Sequence, residues 1–162
     1  MGSPRHSWQG RGGGGLVLVE LALFLVVIAL AVILVAVAIG RARHEARLAQ
    51  FGADLQALSA AFAQARTADG RWPETAEDAG VRLQEAGWDN GPPCGGEYGW
   101  KPPAGGQPGL ITVTAFAPNF PLKLTPADLL AIDRSIDDGN LATGRFRTGF
   151  NGWPVYEVRS QP

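Results

Sequence analysis

The chain has 162 residues, 46% of them hydrophobic, with 14 Lys and Arg against 15 Asp and Glu and a net charge of −1. That balance offers no basic surface for nucleic acid, and the length leaves room for one compact domain beside a membrane segment. Cys94 is the sole cysteine, so an intrachain disulfide is excluded and a lone buried thiol is expected.

Residues 1–15 form a polar leader with Arg5, His6 and Arg11 that ends in four glycines, Gly12 to Gly15. From Leu16 to Ile39 only Glu20 is polar. At ~1.5 Å per residue, a helix over that run would be about 36 Å long, enough to cross a hydrocarbon core of roughly 30 Å. A carboxylate inside such a span costs at least about 2.5 kcal/mol at the membrane centre and therefore needs a partner. Cleavage after Gly15 would supply one: the freed α-ammonium of Leu16 could pair with Glu20 of a neighbouring copy and fix the stagger between subunits.

A basic leader, Gly at its end, an apolar run beginning at Leu16 and an acid at Glu20 together resemble the processing site of type IV prepilins and type II secretion pseudopilins. The resemblance implies cutting between Gly15 and Leu16 by prepilin peptidase and N-methylation of Leu16. It also implies a single pass through a bacterial inner membrane with the C-terminal domain in the periplasm. Implied partners are other pilin-like subunits, an inner-membrane assembly platform and membrane lipid. Leu16 and Val17 stand where Phe or Met and Thr are usual, and no proline interrupts the span, which leaves the particular subunit open. Arg41, Arg43 and Arg47 after the span outnumber Arg5 and Arg11 before it, so a count of Lys and Arg alone would place the C-terminus inside. Competing readings are an ordinary signal anchor, a secreted protein cut after Ala38 in Ala36-Val37-Ala38, and a dimerising stalk.

Beyond the span, residues 41–66 contain no proline and are rich in Ala, Arg, Gln and Leu. Leu48, Phe51, Leu55, Leu58 and Phe62 recur at spacings of three and four, an apolar stripe expected to pack on the head. One long helix is expected from Leu16 to about Arg66, with residues 16–39 in the membrane, residues 40–68 beyond it, and a globular head over 69–162. Asp69-Gly70 stops the helix, and Gly70-Arg71-Trp72-Pro73 resembles the Gly-x-Tyr-Pro turn of many pseudopilins. A short helix is read at Ala76 to Ala86, then strands at Glu97 to Lys101, Leu110 to Ala117, Gly144 to Phe150 and Pro154 to Arg159. Between the second and third strands Thr125, Pro126 and Asp128 open a helix that Gly139 closes, with Leu129, Ile132 and Ile136 on its apolar face. The fold class is α+β, a long helix followed by a small antiparallel sheet, which is the architecture of the pilin-like family.

No catalytic residue is identified. His6 lies in the leader, and His44 is expected to be held well away from the head by a rigid helix. One cysteine and one histidine in the mature chain are too few ligands for zinc. Asp133, Asp137, Asp138 and Asn140 crowd oxygen atoms into one turn and could hold calcium, although the same residues make an ordinary helix stop, and the spacing is not that of an EF-hand. The segment from Ile132 to Asn140, followed by Thr143-Gly144, also resembles one found in pilin-like proteins. Trp72, Trp88, Tyr98, Trp100, Trp153 and Tyr156 are read as core. As an exposed group they would instead suit a membrane-anchored or secreted binding protein.

Overall fold

The computed structural model describes residues 14–115 and 121–159, with side chains from Leu18 onward. Most of the leader and the end of the second expected strand, Phe116 and Ala117, lie outside the described residues. Helix α1 (Gly14–Asp69) runs through both the apolar run and the stripe that follows it. No proline interrupts it, and Gly70, with φ of +71°, takes the left-handed conformation that turns the chain out of the helix. By its contacts the chain divides into two units, residues 1–43 and residues 44–162.

In the first unit every described side chain from Leu18 to Arg43 is exposed. This part of α1 is long and apolar enough to cross a membrane, and none of its most apolar stretch is buried within the protein. Large aliphatic side chains cover all sides of it, including Leu21, Leu23, Leu25, Val26 and Val27. A helix that is apolar all round is built for lipid or for other helices.

The second unit has its own core. Phe51, Leu55, Leu58 and Phe62 of α1 are buried, and Leu48 packs against them half-covered. Each fully buried side chain of this size contributes roughly 1.5–3 kcal/mol. Facing them are Ile111 and Val113 of β2 (Gly109–Thr114), Phe146 of β3 (Phe146–Thr148), and Tyr156 and Val158 of β4 (Pro154–Val158). With β1 (Glu97–Lys101) these strands form an antiparallel sheet in the order β1-β2-β4-β3. Its register sets Trp100 opposite Ile111, Ile111 opposite Tyr156, and Tyr156 opposite Phe146. One face of the sheet is therefore a continuous apolar surface.

Helix α3 (Pro126–Ile136) completes the core with Leu129 and Ile132. Gly52 seats it on α1: a Cβ there would stand 2.9 Å from Ile136 Cγ2. The glycine that reads as a tolerable interruption of a helix is thus a contact point.

Four expected elements are shorter than read: the second strand stops at Thr114, short of the described Ala115, the fourth at Val158 rather than Arg159, and two more have a visible cause. The segment from Ala76 to Ala86 is a 3-10 turn (Glu77–Ala79) and then α2 (Val81–Glu85), broken at Gly80, whose φ of 60° and ψ of −142° no helix contains. The third strand begins at Phe146 rather than Gly144, because Asp137 accepts the backbone N–H groups of both Arg145 and Phe146. It ends at Thr148, where the turn closed by Gly149 N–H to Trp153 O (2.7 Å) takes over.

Candidate functional site

At the start of α1, Gly15 and Leu16 fall within the helical backbone. Glu20 follows one turn after Leu16 and is exposed, as are the apolar residues around it. It is the one charged residue among the described positions from Leu18 to Gly40. No described residue covers it, so in lipid its carboxylate would need a partner from outside the chain or from the chain's own amino terminus.

His44 corrects the expectation that the helix holds it away from the head. Its ring Nε2 lies 2.7 Å from Asp128 Oδ1, at the beginning of α3. Asp128 also closes a capping box: Thr125 Oγ1 accepts from Asp128 N–H, and Asp128 Oδ2 accepts from Thr125 N–H at 2.9 Å. Burial works to raise the Asp128 carboxyl, but the Thr125 backbone, the His44 ring and the Thr125 hydroxyl outweigh it, and the group stays below its ordinary range. The pair ties α3 to the first turn of the head's portion of α1.

At the far end of α3 the helix stops in an acidic cluster. Asp133, Asp137 and Asp138 each bring a carboxylate oxygen within 4.8 Å of the others. Asp137 spends Oδ2 on the backbone of Arg145 and Phe146. Asp138 accepts from Asn140 N–H at 2.9 Å and from the Thr143 hydroxyl at 2.7 Å. Asn140, the fourth candidate, turns into its own loop, where its Oδ1 accepts from Ala142 N–H at 3.1 Å. Gly144, with φ of +74°, makes room for the two acids, since a Cβ there would overlap the Asp137 carboxylate.

Asp133 differs from its neighbours. It is 0% exposed, and neither of its carboxylate oxygens has a hydrogen-bond partner. Burial, and then the charges of Asp138 and Asp137, push its carboxyl above the ordinary range. The sequence carries a signal for this burial: Asp133 falls four residues after Leu129 and next to Ile132, inside the apolar stripe of α3.

Of the six tryptophans and tyrosines read as core, Tyr156 is fully buried and the other five are half-buried. Phe62 of α1 stacks on Trp100 at 3.8 Å, with Trp88 edge-on to Phe62 at 5.8 Å. Trp100 donates its indole N–H to Pro73 O at 2.9 Å. Cys94 is a free, buried thiol, as expected, and burial pushes it up from its usual range. Phe150, not singled out in the sequence, stands fully exposed at the tip of the turn between β3 and β4. Glu157 is also unexpected: it lies buried in β4, bridging Arg147 (3.1 Å) and Arg159 (2.7 Å).

Compared with protein-family models, with curated proteins and with solved structures, the chain finds no match in any of the three.

Proposed function

We propose that this chain is the precursor of a pilin-like structural subunit, a pseudopilin held in a bacterial inner membrane and added to a type II secretion or type IV pilus-type filament. The observation that carries the reading is Glu20, a lone carboxylate one turn beyond a Gly15–Leu16 junction on an otherwise apolar stretch of helix that no described residue covers. Hydrolysis of the Gly15–Leu16 bond by prepilin peptidase creates an ammonium group on Leu16, which the same enzyme methylates. Within the chain that amine and Glu20 lie on the same helix face, four residues apart. In a filament the amine of one subunit meets Glu20 of the next, so the unfavourable carboxylate becomes the register mark of assembly. The aliphatic surface of residues 21–39 then passes from lipid to the filament core, and the head stays in the periplasm. An assembly platform in the inner membrane drives that transfer, and the subunit itself performs no catalysis.

Intact-mass and N-terminal analysis of the protein isolated from membranes tests the reading. The expected mature chain begins at N-methyl-Leu16. A chain beginning at Ile39 would instead identify a secreted protein, and an intact Met1 a membrane-anchored binding protein, and either would replace the pilin-like reading.

A further inference from the structure

The geometry points to a pocket in the head, walled by Trp88 and bordered by Glu77 and Asp89, that takes an arginine side chain of a basic partner protein. The second unit, residues 44–162, carries 14 acidic and 10 basic side chains. Six of those acids but only two of the bases, Arg71 and Arg82, fall in residues 69–90, between α1 and β1, and all eight are exposed. The remaining eight acids and eight bases cancel, so the excess negative charge of the head lies wholly in this one segment. A surface of one sign steers a partner of the other sign toward it and is matched by that partner in the complex.

Within this segment the chain encloses a cavity of about 170 Å³. That is below the roughly 300–1,000 Å³ of pockets that hold whole small molecules, and it suits a single side chain. Ala76, Leu83 and Trp88 form its apolar lining, and Glu77, Gln84 and Asp89 its polar one. Phe62 stands edge-on to Trp88 at 5.8 Å and the Tyr98 ring lies at 5.6 Å, so the indole is held in place before anything binds. Glu77 and Asp89 form no ion pair among the described residues, and neither Arg71 nor Arg82 lines the cavity. Asp78, by contrast, is engaged within the segment, accepting from the N–H groups of Glu74 and Thr75.

An aromatic wall beside two free carboxylates calls for a cation, because the indole ring and the acids attract it together. Arginine suits the lining better than lysine. Its planar guanidinium stacks on a ring while its forked N–H groups reach separate acceptors, here the two acids and the Gln84 carbonyl. The partner is a different protein, since the head of a second copy has no basic excess to offer. Four of its eight bases outside the segment are already engaged: Arg66 over Trp72, Arg145 with Ser59, and Arg147 and Arg159 with Glu157. This inference uses the head alone and stands whether or not the chain is a filament subunit.

The test uses the full chain in nonionic detergent micelles, with isotope-labelled tryptophan and the Trp88 indole N–H resonance assigned from Trp88→Phe. The probe is the capped dipeptide acetyl-Arg-Arg-amide, and the control is its uncharged counterpart with citrulline in place of arginine. At about 20 mM salt, where screening is weak, the arginine probe is expected to shift the Trp88 resonance to saturation while the citrulline probe leaves it in place. Glu77→Gln combined with Asp89→Asn, both at exposed positions, is expected to weaken binding about fivefold or more. Glu97→Gln, outside the segment, is expected to leave it unchanged. A Trp88 resonance that the arginine probe does not move would overturn the pocket. So would an equal response to the citrulline probe, or binding undiminished in the double variant. Self-association of the wild type that the double variant abolishes would overturn it too, by giving the surface to a second copy.

Discussion

Glu20, alone in the apolar run, and Asp133, the buried carboxylate without a donor among the described residues, differ in how far the sequence exposes them. Glu20 interrupts a run of aliphatic residues and is visible by inspection. Asp133 sits among Asp137, Asp138 and Asn140 and reads as one more polar residue of a turn, although its distance of four from Leu129 places it on the buried face. Periodicity could have separated it from its neighbours, but the absence of any donor depends on residues from distant elements and is not encoded locally. For Glu20 the expectation is specific. Glu20→Ala and Glu20→Leu remove a charge that costs about 2.5 kcal/mol or more at mid-membrane, so both variants should insert and fold at least as well as the wild type. Under the proposed pilin-like role, their incorporation into filaments, measured as the fraction recovered in sheared or cross-linked assemblies, should fall about tenfold or more. Normal incorporation of both would remove Glu20 from the assembly mechanism.

At the scale of elements, α3 shows how much a cap can specify. Thr125, Pro126 and Asp128 announce the helix start in the sequence, and the capping box is present as read. What the sequence does not announce is that Asp128 has a second task, accepting from His44 across a separation of 84 residues. Thr125→Ala removes the acceptor for Asp128 N–H and should cost about 1 kcal/mol in a urea or thermal melt, with Thr125→Ser close to wild type. The pH dependence has a definite sign. Asp128 is held below its ordinary range in the folded head, so its contribution is complete above an unfolded carboxylate pKa of about 4 and is lost as acid protonates it. The loss of stability on acidification below about pH 4 should therefore be smaller in Asp128→Asn than in wild type. Equal acid sensitivity in the two would show that other carboxylates carry it. The strands were legible in outline from alternating Ile111 and Val113 or Tyr156 and Val158. Their ends were not, because β3 starts where a side chain, Asp137, takes over the backbone donors.

For the molecule as a whole, the described core begins at Phe51, and no described side chain before His44 is even half-buried. The α+β order of long helix and small antiparallel sheet follows from two patterns in the sequence, an unbroken helical run and four short strands among glycine-rich turns. A chain starting at Arg41 loses none of the buried contacts and should be soluble and melt cooperatively, with the near-ultraviolet circular dichroism expected of the Phe62, Trp88 and Trp100 cluster. An aggregated product, or one without that signal, would mean that the membrane segment is needed to fold the head.

The strand order carries one more consequence, for the timing of biogenesis. β4 lies between β2 and β3 in the sheet although it is the last strand in the chain. Neither β2 nor β3 has its inner neighbour until residues 154–158 have left the ribosome, whereas residues 18–39 are made more than a hundred residues earlier. At roughly 5–20 residues per second this separates the two events by several seconds. A helix long and apolar enough to cross a membrane is thus complete while the sheet is not, and the head closes only afterwards.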